Sequence, residues 1–132
     1  MPNRTKNVVI FLDANIIIYA LKPEYQYILD DLEAENDELA CSEIVRLEVM
    51  GFSGFKDRDR RKIKKFFEDL IIFPINRKII DMAITIRQQR AIKSPDSIIA
   101  ATALVTDQKL WTSNVKDFAW IKNLNWHNPV VK

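Results

Sequence analysis

Glycine is nearly missing from this chain: Gly51 and Gly54 are the only two in 132 residues. Nucleotide-binding loops need glycine where the backbone approaches phosphate closely. With neither GxGxxG nor GxxxxGK[ST] present, a Rossmann dinucleotide site and a P-loop are set aside. Cysteine is scarcer still. Cys41 has no intrachain partner, so the fold cannot rest on disulfides, and a reducing cytoplasm suits it. No long apolar run occurs. Arg4 and Lys6 ahead of residues 8–12 mimic a signal peptide, but Asp13 and Asn15 interrupt the run and no small-residue cleavage site follows. The run also falls short of the roughly 20 residues a membrane span requires. A large excess of one charge is lacking too: the net charge is +2, too small to identify a polyanionic partner, so any basic patch is local. His127 is the single histidine and reads as surface or satisfied core rather than as a catalytic group.

What is present fits an ordinary folded chain. Hydrophobic residues make up 48% and charged residues 29%, which argues against disorder, and the length suits one compact domain spanning residues 1–132. The chain is organised around residues 7–19, NVVIFLDANIIIY, in which residues 8–12 are all apolar and run straight into Asp13. Such a run reads as a strand buried on both faces in a parallel sheet. Asp13 then stands at the strand's C-terminal end, where parallel α/β sheets form their ligand crevice. The alternative is that Asp13 or Asn15 simply caps the helix that follows.

Further along, residues 15–21 read as a short helix ended by Lys22-Pro23. Tyr25, Ile28, Leu29 and Leu32 repeat at helical spacing, with a solvated acidic face between them. Asn36-Asp37 turns into a brief strand at 39–41. Ser42 is placed to cap a helix over 43–50, and at about 100° per residue Glu48 falls near Ile44, Val45 and Phe52 in the middle of the apolar stripe. A carboxylate there is anomalous unless it sits at the stripe's edge. Residues 56–65 carry seven basic side chains around an apolar stripe of Ile63, Phe66, Phe67 and Leu70. This helix reads first as a solvated face with i,i+4 pairs and second as a surface that tracks phosphates.

Residues 71–75 form a third apolar strand, pushed toward the sheet edge by Pro74. Asn76 opens a helix with Ile79, Ile80, Ala83, Ile84 and Ile86 inward. The alternation of strand and helix specifies an α/β fold on a parallel sheet. In KSPDSIIAATAL, Ser94 and Pro95 match N-cap and N1 preferences and put Asp96 in the first turn. Dipole stabilisation would explain an acid there. Ile99, Ala100, Ala103 and Leu104, however, stand on the same face, so Asp96 heads the buried stripe. Asp107, by contrast, precedes a strand over 109–112 and lies at the opposite end of the sheet. The exit of that strand, TSNVKDF, gathers Thr112, Asn114 and Asp117, and residues 124–126 read as a final edge strand. Trp111, Trp120 and Trp126 read as core or rim aromatics.

LDANIIIY, SEIVRLEV, SPDSIIAATAL and TSNVKDF, in this order, resemble the PIN-domain nucleases, and the chain length and the DF ending look like the VapC toxins of toxin–antitoxin pairs. The resemblance runs from Asp13 to Pro129. It implies a three-layer α/β sandwich on a mostly parallel sheet of four or five strands, in the order 3-2-1-4-5. It also implies an acidic quartet of Asp13, Glu48, Asp96 and Asp117 that is catalytic and metal-binding, supported by Asn15, Thr112 and Asn114. Trp111 departs from the pattern, being bulky where a smaller aliphatic is usual.

The chemistry of these residue types is consistent with that likeness. Two carboxylates about 4 Å apart repel by roughly 4 kcal/mol at an effective dielectric near 20, so a cluster of four requires protonation or a cation. Oxygen donors without Cys or His select Mg²⁺ or Mn²⁺ over Zn²⁺. One or two such ions can lower the pKa of a bound water and stabilise the leaving 3′-oxygen of a phosphodiester. The expected activity is therefore metal-dependent endoribonucleolytic cleavage by a cytoplasmic toxin. Its expected partners are RNA, a cognate antitoxin docking near residues 16–21 and the Glu48 helix, and a second copy of the chain in a homodimer, with no membrane involved. A catalytically silent PIN-like module that binds RNA or protein is the alternative. A phosphatase with Asp13 as nucleophile is disfavoured because position 15 is Asn rather than the second Asp of DxD.

Overall fold

The computed structural model describes residues 9–34 and 38–130. Five strands, β1 (Val9–Leu12), β2 (Glu38–Ser42), β3 (Ile71–Phe73), β4 (Lys109–Trp111) and β5 (Trp126–His127), form one sheet in the order β3-β2-β1-β4-β5. All four pairings are parallel. The apolar run explains why β1 is central: Ile10, Phe11 and Leu12 are buried, and only a strand flanked by neighbours and covered on both faces hides consecutive side chains. Chain position 8, expected in this strand, and the turn at 36–37 lie outside the described residues.

The connections are helical. α1 (Ala14–Ala20), a 3₁₀ turn at Pro23–Tyr25 and α2 (Gln26–Ala34) lead from β1 to β2; α3 (Glu43–Met50) and α4 (Asp57–Glu68) lead to β3. α5 (Arg77–Gln89) and α6 (Ser94–Thr106) carry the chain back past β1 to β4, and a one-turn helix, α7 (Val115–Phe118), precedes β5. The order of connection therefore reverses between β1 and β4. That reversal is a topological switch point, where the loops leaving two adjacent strands diverge and open a crevice. Asp13 stands at the end of β1 and Thr112 at the end of β4, and Asp13 N–H donates to the Trp111 carbonyl at 3.0 Å, fastening the two strand ends together.

α6 is the internal helix. Ile99, Ala100, Ala101 and Ala103 are buried together with Ser97 and Thr102. The two hydroxyls donate to backbone carbonyls of their own helix, Ser97 to Ser94 and Thr102 to Ile98, each at 2.7 Å. Small residues and self-satisfied hydroxyls let α6 be covered nearly all round without an orphaned polar group. Its start differs from the sequence expectation by one residue. Lys93, not Ser94, takes the N-cap position, without a side-chain capping bond.

Other expectations shift in instructive ways. Ile80 and Ile84 are 37% and 49% exposed, because α5 buries only the narrow stripe of Ile79, Ala83 and Ile86. The last strand is Trp126–His127 rather than 124–126; Leu124 is buried in the loop before it. β3 is an edge strand, as expected, but it ends at Phe73, so Pro74 and Ile75 lie beyond it rather than within it. Cys41 is buried in β2 and burial pushes its thiol up to about 12, well away from reactive thiolate character.

Candidate active site

Asp13 is 4% exposed, a carboxylate placed in the core at the end of β1. Its solvation is replaced donor by donor. Oδ1 accepts from the Ala14 N–H at 2.7 Å, and Oδ2 accepts from the Thr112 hydroxyl at 2.7 Å and from Asn15 Nδ2 at 3.1 Å. Both readings of Asp13 therefore hold: it caps α1 and it occupies the crevice. Burial pushes its carboxyl above the ordinary value, the three donors oppose that rise, and Asp117 adds to it.

The donors are themselves held. Thr112 is fully buried, and its hydroxyl also accepts from the Asn114 N–H at 3.0 Å. Asn15 Oδ1 accepts from the Ser113 N–H at 3.2 Å, so one asparagine ties the start of α1 to the loop after β4. Asn114 Nδ2 donates to Asp117 Oδ2 at 2.7 Å, and Trp120 Nε1 donates to the Asp117 carbonyl at 2.8 Å. Asp117 thus rides on α7, a helix of one turn too short to register as periodicity.

Asp96 and Glu48 face the same crevice under different conditions. Neither side chain makes a hydrogen bond or ion pair with another described residue. Burial, then Asp13, then Asp117 push the Asp96 carboxyl up to about 6, with Lys93 pulling the other way. Glu48 is raised by burial, then by Asp13 and Asp96, again against Lys93. Its position corrects the helical-wheel expectation. The buried stripe of α3 is Val45 and Val49, and Glu48 lies beside it as an exposed residue. Phe52, expected on that stripe, lies beyond the helix and is 53% exposed.

The structure thus places Asp13, Glu48, Asp96 and Asp117 around one crevice, coupled electrostatically, with Asn15, Thr112 and Asn114 bonded to two of them. Among the described residues, no group of three or more acidic, histidine or cysteine side chains is drawn together closely enough to make a finished metal site. The donor chemistry nonetheless fits a hard divalent cation. The facing groups are all carboxylates, their mutual repulsion disfavours joint ionisation, and two of them lack a hydrogen bond or ion pair among the described residues. Sequence reasoning missed Lys93, the cation that opposes this repulsion. Its KSPD context reads only as a loop entering a helix.

Of residues 16–21, expected to contribute an apolar docking surface, Ile16, Ile17 and Ala20 are buried while Ile18, Tyr19 and Leu21 are half-buried. Apolar surface is instead exposed across α3, where Leu47 is 67% exposed beside a cavity of about 490 Å³ that Met50 and Ile75 also line. His127 is exposed and packs edge-on against Trp111 at 4.8 Å. It takes no part in the crevice.

Comparison with known proteins agrees with this fold. Residues 10–122 match the family model described as PIN domain. Ribonuclease VapC2 of Rickettsia felis is 30% identical, the match covering 90% of this chain and 98% of that protein. Among solved structures, VapBC2 from Rickettsia felis, bound to a DNA fragment from their promoter, aligns with a TM-score of 0.76 at 29% identity, covering 92% of this chain and 98% of that one. A toxin–antitoxin complex from Klebsiella pneumoniae aligns at 0.74 and 30% identity, with the same coverage.

Proposed function

The chain belongs to the PIN-domain family, and from that premise we propose that it is a metal-dependent endoribonuclease and the toxin of a toxin–antitoxin pair. The observation that carries the reading is the convergence of Asp13, Glu48, Asp96 and Asp117 on the switch-point crevice, with Asp13 bonded and Asp96 and Glu48 unpartnered. Asp13, Glu48, Asp96 and Asp117 would hold Mg²⁺ or Mn²⁺. The ion would supply charge neutralisation at the phosphodiester and a lowered pKa for the attacking water.

The chain's own groups do the positioning. Thr112 and Asn15 fix both the orientation and the ionisation of Asp13, as outer hydrogen bonds do for metal-ligating carboxylates. Asn114 orients Asp117 through its side-chain amide. Lys93 favours the ionised forms of Glu48 and Asp96, the forms that receive a cation. With no histidine in the crevice, proton transfer falls to water and carboxylate.

A ribonuclease of this kind requires restraint within its own cell, and the named relatives that crystallised as toxin–antitoxin complexes motivate a cognate antitoxin here. An Arg or Lys of that partner can neutralise the carboxylates that hold metal. The deciding experiment incubates the pure protein with assorted RNAs in Mg²⁺, Mn²⁺ or EDTA. Cleavage that EDTA abolishes is the expected result. RNA binding with no cleavage under any metal would favour the silent-module reading.

A further inference from the structure

A cavity of about 430 Å³ opens beside the carboxylates, between the loop joining α5 to α6 and the one-turn α7, lined by Arg87, Ala91, Ile92, Lys93 and Asp117. We propose that this cavity seats the RNA phosphate next to the one that is cut, gripped by Arg87 and Lys93. The proposal rests on the ribonuclease reading above and adds to it a subsite outside the acidic quartet.

Arg87 stands in the last turn of α5, and its Nε donates to the Ile92 carbonyl at 3.2 Å. That bond fixes the plane of the guanidinium against the loop and leaves the two terminal nitrogens without a partner among the described residues. A planar fork oriented in this way matches phosphate oxygens and spends little entropy on binding them. Lys93 takes the N-cap position of α6, whose first turn carries Asp96, and it lines the cavity. It therefore joins the cavity to the carboxylates. Asp117 closes the arrangement, since it lines the cavity and accepts from Asn114, whose own N–H donates to the Thr112 hydroxyl that in turn donates to Asp13.

Charge balance identifies the occupant. Neither Arg87 nor Lys93 forms a salt bridge; among the described residues the one ion pair is Arg46 with Glu43, on α3. None of these carboxylates and cations is joined in an ion pair among the described residues, although Lys93 and Asp117 line the same cavity. A polyphosphate chain crossing both serves each, the scissile phosphate at the carboxylates and an adjoining one at Arg87 and Lys93. Ala91 and Ile92 offer an apolar wall to a sugar or base.

The test is steady-state cleavage of an RNA oligonucleotide by wild type, Arg87→Ala and Arg87→Lys. It is repeated with the same oligonucleotide carrying a neutral methylphosphonate in place of the phosphate flanking the cut on either side. Arg87→Ala should raise KM about tenfold and leave kcat within about twofold, the size expected for one charge-assisted contact made equally in ground and transition states. Arg87→Lys should recover part of the loss. One of the two neutral linkages should cost the wild type about tenfold and Arg87→Ala much less, because both changes remove the same contact. Fluorescence anisotropy of the uncut oligonucleotide on an Asp96→Asn background in EDTA should show the same loss without chemistry. Arg87 is exposed, so an unchanged melting temperature is expected of each variant.

An Arg87→Ala enzyme with unchanged KM overturns the proposal. So does a neutral-linkage penalty equal in both proteins, which would mean diffuse attraction rather than a seat. Unchanged RNA kinetics with weakened binding of an acidic partner peptide would assign the cavity to a protein. A wild type that cuts no RNA in Mg²⁺ or Mn²⁺ removes the ribonuclease reading itself, and that failure is separate because it does not involve Arg87.

Discussion

Asp13 and Asp96 are both carboxylates at the start of a helix, and both face one crevice. Asp13 accepts three hydrogen bonds, two of them at 2.7 Å. Asp96 accepts none from any described side chain, and its environment holds its carboxyl up at about 6. The difference separates two ways of placing charge in a protein. Asp13 is part of the fold: removing its donors would expose a buried charge to the full cost of desolvation. Asp96 is a charge the fold tolerates, and its natural partner comes from outside.

The largest effect follows from that contrast. Asp96→Asn should lower RNA cleavage about a hundredfold or more, the scale of losing several kcal/mol of charge stabilisation in the transition state. Stability should be unchanged or improved. An N-terminal Asp gains roughly 0.3–1 kcal/mol from the helix dipole, but the raised pKa shows that repulsion and burial outweigh this gain. Near-normal cleavage by the variant, read on the RNA that the wild type cuts, would remove Asp96 from the site.

The bonded half should respond in the opposite sense. Thr112→Val keeps the shape of a fully buried side chain while deleting the hydroxyl that donates to Asp13 and accepts from Asn114 N–H. The expected loss is about 1–3 kcal/mol of unfolding free energy in a urea titration near neutral pH, with m unchanged. A variant as stable as the wild type would mean that the Asp13 node does not hold the strand ends, and the contrast with Asp96 would collapse.

The same contrast explains what the sequence revealed. Asp13 and Asp96 were legible because each breaks a local pattern, one ending a continuous apolar strand and the other heading an apolar helical stripe. Functional residues tend to be where local consistency fails. The parallel sheet was equally legible from the alternation of strand and helix, although the third strand stops at Phe73 and leaves Pro74 outside it. Glu48 was located on the right helix but on the wrong part of its surface. Two turns give a wheel only a few points, and Val45 with Val49 fixed the buried direction. Ile80 and Ile84 looked like core because isoleucine at helical spacing does not say how wide a stripe its neighbours cover. Lys93 and Arg87 gave no signal at all, since their proximity to the carboxylates exists only after α5, α6 and α7 have packed.

The smallest expected effect concerns pH. The Asp96 carboxyl is raised from 3.8 to about 6 on folding, so between those values the folded chain holds more protons than the unfolded one. Stability must then fall as pH rises through that window, and the loss is complete above about 6. Asp13 and Glu48, also raised, act in the same sense. The metal-free protein should therefore melt at a higher temperature near about pH 5 than near about pH 7.5, by a modest margin because solvent screens a partly exposed carboxyl. Asp96→Asn should flatten this dependence. Mg²⁺ should flatten it as well, because a cation favours the ionised carboxylates and binds only the folded chain. Thr112→Val should steepen it, since Asp13 would lose the strongest of the interactions that oppose its rise. The measurement is a set of melting curves across pH with and without Mg²⁺. An Asp96→Asn protein whose melting temperature falls with pH as steeply as the wild type's would show that the unpartnered carboxylate is not where the crevice stores its repulsion.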